Sequence, residues 1–138
     1  MSRIIKTQSG AREREKALRL IGSALRAIEY IDNDANLLDI ASFIAITLQD
    51  IENSVLETCV AWERRDYWVK ADQFRSEWNW VGEAKTKLIE GIRRQDQKLI
   101  GEVTGLLRKR KAILEGIIKP KRNIDYNGFY SQFQSRFG

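Results

Sequence analysis

Apolar side chains recur along this chain at the period of an α-helix rather than a strand. Ala17, Ile21, Ala24, Ile28 and Ile31 follow one another at alternating spacings of four and three, and Leu18 and Leu25 widen the stripe. Before them, Ser9-Gly10 with Glu13 and Glu15 marks a helix start, because a small polar residue satisfies free amides and early acids complement the positive end of the dipole. The spacing predicts a first helix over about 10–32. Asp32-Asn33-Asp34-Ala35-Asn36 is a run of turn formers, with Asn36 and Asp39 at the spacing of a variant capping box. A second helix then carries Leu37, Ala41, Ile44, Leu48, Ile51, Val55, Cys59 and Trp62 in a heptad-like series.

The phase breaks at Glu63-Arg64-Arg65-Asp66, which predicts a turn with Asp66 as cap. From Tyr67 a new stripe runs through Ala71, Phe74, Trp78, Val81, Leu88, Ile92, Leu99, Val103, Leu106, Ile113 and Ile117. Two readings fit it. One uninterrupted helix would be about 78 Å long and would project, burying its free stripe on a second copy of the chain. Alternatively, the polar run Arg93-Arg94-Gln95-Asp96-Gln97 holds a tight turn and divides the segment in two. The fold class expected is therefore all-α, an antiparallel helical bundle of three or four helices, with four favoured. Gly82, Gly91, Gly101, Gly105 and Gly116 each cost about 1 kcal/mol relative to Ala inside a helix, a cost that close approach of helix backbones explains. Pro120 ends the last helix. The organisation expected is a flexible N-terminus over 1–9, a bundle domain over 10–119, and a C-terminal tail over 120–138 that includes helical spacing of its own.

Composition narrows the chemistry. With 138 residues, 43% apolar and 31% charged, the chain suits one folded domain. Neither a secretory signal nor a stretch of roughly 18 uncharged residues is visible, so the expectation is a cytoplasmic location with no transmembrane segment. Cys59 is the single cysteine and histidine is absent, which removes intrachain disulfides, thiolate clusters, histidine-based triads and di-iron sites of the Glu-x-x-His type. Asp32-x-Asp34-x-Asn36 begins like a calcium loop, but Leu37 and Phe43 stand where Gly and Glu are needed. Asp50, Glu52, Glu57 and Glu63 lack the three- or four-residue spacing that would converge on a cation and fit a solvated face better. No metal, cofactor or catalytic residue is expected.

The net charge of +5 conceals a division. Between Ala27 and Glu63 lie Glu29, Asp32, Asp34, Asp39, Asp50, Glu52, Glu57 and Glu63 with no basic residue. Between Gly105 and Arg122 lie Arg108, Lys109, Arg110, Lys111, Lys119, Lys121 and Arg122 against Glu115 alone. This basic block suits nucleic-acid phosphates, an anionic membrane surface, or the acidic segment of the same or a neighbouring chain. Aromatic residues supply the second signal. Trp68 and Trp80 fall off the apolar stripe by roughly 100° and 140°, where a monomeric bundle ordinarily carries polar residues. In the tail, Tyr126, Tyr130, Phe133 and Phe137, with Phe129 beside them, share one helical face that either docks on the bundle or enters a partner. The function expected is a non-enzymatic helical interaction protein of the adaptor or regulatory kind, self-associating as a homodimer. It presents Trp68, Trp80, Tyr126, Phe129, Tyr130, Phe133 and Phe137 to a protein partner. The alternative is a nucleic-acid-binding protein using segment 108–122 and the tail.

Overall fold

The structure, a computed structural model, describes residues 7–31, 33–121 and 124–138. The expected turn residue Asp32, the basic residue Arg122 and the side chain of Ser9 lie outside the described residues. All seven elements among the described residues are helices, rather than the three or four read from the stripes: α1 (Thr7–Ile28), α2 (Asp34–Glu63), α3 (Trp68–Glu77), α4 (Asn79–Arg93), α5 (Gln97–Arg108), α6 (Lys111–Ile118) and α7 (Phe129–Phe137).

Helix α2 is the centre of the molecule, because its stripe is wide enough to face several neighbours at once. Ile40, Ala41, Ile44, Ala45, Leu48, Ile51, Val55 and Cys59 are all buried on it. It packs against α1, α3, α4 and α7, while α6 lies on α1 and α5 lies on α4. Leu18, Ile21, Ala24 and Leu25 of α1, Val81, Leu88 and Ile92 of α4, Ile100, Val103 and Leu107 of α5, and Ile113 of α6 complete one continuous core.

The breaks between helices have local causes. At the end of α2 the Tyr67 amide donates to the Trp62 carbonyl at 2.9 Å and the Asp66 amide to Glu63 at 3.0 Å, with Asp66 in the left-handed region at φ 64°. This is a Schellman stop. The turn is where the sequence places it, but Asp66 terminates α2 instead of capping α3, whose preceding residue Tyr67 makes no side-chain cap. The same stop recurs at residues 91–96: Asp96 donates to Gly91 at 2.8 Å, Gln95 to Ile92 at 3.0 Å, and Gln95 has φ 52°. Here Asp96 also accepts the Leu99 amide at 3.1 Å and so opens α5. The chain therefore turns at Arg94–Asp96, and the single projecting helix does not form. Two further breaks, at Trp78 and at Lys109–Arg110, divide the remaining segments.

The Asn36–Asp39 box is also replaced. Asn33 caps α2 by accepting the Asn36 amide at 2.8 Å, and Asp39 is directed elsewhere. Along the third stripe, Tyr67 and Leu106 are exposed rather than buried; Leu107 takes the core position because the turn at 94–96 resets the helical phase. Among the glycines, Gly116 meets α1 backbone to backbone, as close approach requires. Its partner is Gly22, where an added Cβ would lie 2.6 Å from the Ile113 carbonyl oxygen. Gly101 and Gly105 have open space around them, so close packing does not explain them.

Candidate functional site

Two surfaces stand out once the core is accounted for. The first is the α2–α3 corner. Because α3 buries only Ala71 and begins without a side-chain cap, its first turn is left facing outward. Tyr67, Trp68 and Val69 are 51%, 56% and 71% exposed, three large apolar side chains in succession. Trp68, Asp72 and Arg75 share one face of α3 by their spacing, and Leu56, Val60 and Glu63 share one face of α2. Arg75 donates to Glu63 at 2.8 Å and to Asp72 at 2.8 Å, which sets these two faces side by side. Exposed Leu56 and exposed Trp68 therefore flank one ionic bridge. Beside it a cleft of about 680 Å³ opens between α2 and the α3–α4 arm, with Val55, Leu56, Cys59 and Trp78 as its apolar lining and Glu52, Glu83 and Lys87 among its polar residues. Lys85 bonds both Glu52 and Gln49, tying α4 to α2 nearby.

Cys59 is fully buried, its Sγ lies 3.6 Å from the Ala71 carbonyl oxygen, and burial pushes its thiol pKa up, away from the reactive thiolate. Among the described residues no group of three candidate metal ligands converges. Behind the cleft sits Arg14, 6% exposed, donating to Ser54 Oγ at 2.9 Å and Thr58 Oγ1 at 3.2 Å. Its guanidinium lies 4.9 Å from the centroid of Phe74 and 5.5 Å from that of Trp78. Burial lowers its pKa from the usual arginine value, which the nearby Cys59 and Glu13 oppose only in part, and aromatic faces lie against the guanidinium. The sequence signal for Arg14 is a cation on the buried stripe of α1, seven residues before Ile21.

Of the seven aromatic residues expected to meet a partner, the structure leaves only Trp68 exposed. Trp80 is half-buried, stacked on Trp78 at 6.2 Å and covered by the Arg110 guanidinium at 4.6 Å. The tail aromatics turn toward the bundle. Phe133 is fully buried, and Tyr126 and Phe129 set their edges against Phe43 at 5.1 and 4.9 Å. Tyr130 stacks on Phe133, and Phe137 packs against the same ring. Both ends of α7 are held: Asp39 accepts the Tyr130 amide at 2.9 Å and Arg93 donates to the Phe137 carbonyl.

The second surface is basic. Among the described residues of the block, Arg108 alone finds the acidic segment, at 2.6 Å from Glu29, and it also donates to the Leu25 carbonyl at 2.8 Å near the end of α1. Asp50, Glu52 and Glu63 pair instead with Arg136, Lys85 and Arg75. Helix α6 packs on α1, so opposite charge between α2 and the last bundle helix does not set their pairing. Lys109, Arg110, Lys111, Lys119 and Lys121 are exposed and make no ion pair among the described residues. No helix among the described residues is long and apolar enough to cross a membrane. No protein-family model, curated protein or solved structure matches the chain.

Proposed function

We propose that this chain is a non-enzymatic helical interaction protein that pairs with a second copy of itself through the Leu56–Trp68 surface. The observation that carries this is the exposure of Leu56 and Trp68 on the two helix faces that the Glu63–Arg75 bridge joins, with Tyr67 and Val69 exposed next to Trp68 in the chain. Clustered large apolar side chains with a polar rim are what interfaces use as anchors, tryptophan above all. The rim carries both signs, Glu63 and Asp72 against Arg64, Arg65 and Arg75, as a two-fold contact requires of a self-complementary patch. In this reading the seven helices work as a bundle of four layers, α1, α2, α3 with α4, and α5 with α6, and α7 closes the bundle instead of recruiting a partner. The absence of histidine and the burial of the single cysteine support the non-enzymatic assignment. An unpaired thiol suits a reducing compartment such as the cytoplasm.

Hydrogen exchange at two protein concentrations tests the surface directly. Amides across 56–75 should exchange more slowly at the higher concentration while those of α6 stay unchanged. Absence of any concentration dependence in that stretch, with protection appearing elsewhere, would refute the assignment.

A further inference from the structure

Helix α6 is apolar on two sides, and only one of them is committed within the fold. Ile113 and Gly116 are buried, and the Gly22–Gly116 contact presses α6 flat onto α1. The outward side carries Leu114 and Ile118, one turn apart and 40% and 69% exposed, with Lys111 at the matching spacing before them. A short helix that is apolar all round is ordinarily buried on every side. Here the open side is framed by cations instead: Lys109, Arg110 and Lys111 at its start, Lys119 and Lys121 after its end. The single acid of the segment, Glu115, is drawn to Arg19 at 3.2 Å.

We infer that the outer face of α6 is a docking surface for an anionic lipid membrane. Leu114 and Ile118 enter the boundary between headgroups and acyl chains, and Lys111, Lys119 and Lys121 reach the lipid phosphates. Helix α6 then lies in the plane of the interface, since it is far too short to span. The side chains between the cations favour lipid over nucleic acid. They are aliphatic, whereas the tail aromatics that would stack on bases are packed against the bundle, and Arg110 already covers Trp80. The surface is separate from the Leu56–Trp68 patch, so either assignment can fail without the other.

Co-sedimentation of the full chain with vesicles tests the inference. Binding is expected to vesicles of mixed phosphatidylcholine and phosphatidylserine at low salt and not to phosphatidylcholine alone. The Lys111→Gln/Lys119→Gln/Lys121→Gln variant should bind at least about tenfold more weakly. The Leu114→Ser/Ile118→Ser variant, with charge unchanged, should lose about fivefold or more. Circular dichroism checks that both remain helical, and Ile118→Ser alone, at the more exposed position, replaces the double variant if helicity falls. No binding to anionic vesicles, or binding indifferent to the two aliphatic substitutions, would overturn the inference. So would preferential capture of a single-stranded oligonucleotide over the vesicles.

Discussion

Where α1 crosses α6, Gly22 and Gly116 leave no side chain between two backbones, whereas at the α2–α3 corner Tyr67, Trp68 and Val69 stand in solvent. The first place has no volume to spare and the second has volume without a neighbour. The contrast separates two jobs. Residues at the crossing hold the fold and should matter little to association; residues at the corner should matter to association and little to the fold.

Substitutions sharpen that separation, and the largest effect belongs to the crossing. In Gly116→Ala the new methyl group meets the backbone of Arg19, which cannot move aside cheaply, so a loss of about 3 kcal/mol is expected in urea unfolding. The folded fraction should still associate as before. Arg14→Ala should cost about 2 kcal/mol, because it strands the Ser54 and Thr58 hydroxyls and opens space beside Phe74 and Trp78. Arg14→Met, which keeps volume without the charge, should lose less than the alanine variant in the same assay. At the corner, Trp68→Ser should move stability by no more than about 0.5 kcal/mol, measured by the same unfolding transition. A large loss there would make Trp68 part of the fold and erase the contrast.

A smaller effect concerns the docking of the tail. Burial pushes the Tyr126 phenol from its ordinary value of 10.0 up to about 12. Below pH 10 the phenol is neutral in both folded and unfolded chains and contributes no pH dependence. Between the two values it ionises in the unfolded chain first, so stability falls as pH rises through that window. Thermal unfolding of Tyr126→Phe should fall less steeply than wild type between pH 10 and pH 12; identical profiles would mean that Tyr126 is not sequestered against Phe43.

Much of the core was legible because it is written in local periodicity. Ile21 and Ala24 of α1 and the α2 stripe from Ala41 to Cys59 are buried where spacing places them, the outer positions of both stripes are half-buried, and the polar run 93–97 turns. Breaks at Trp78 and Lys109–Arg110 were not legible, since neither carries the glycine or proline that ordinarily marks a stop. Asp39 shows a second limit: its spacing from Asn36 suggested a local cap, yet its carboxylate accepts an amide from α7, 91 positions away along the chain. Gly22 and Arg14 were missed for a similar reason, because the features that explain them belong to α6 and to the α3–α4 arm. For the candidate site, Trp68 was visible as an off-stripe tryptophan. Leu56 was not, because its exposure depends on how α3 crosses α2. The tail aromatics carried the pattern of an interface helix, and the bundle itself supplies the surface they cover.

Sedimentation velocity over micromolar to millimolar concentrations tests the central claim most directly, run on the wild-type chain and on Trp68→Ser and Leu56→Ser. The wild type should pass from monomer to dimer as concentration rises, and each variant should remain monomeric while unfolding at the wild-type temperature. A wild type that stays monomeric throughout, or variants that dimerise as well as it does, would contradict the assignment of the α2–α3 corner as the surface through which the chain associates.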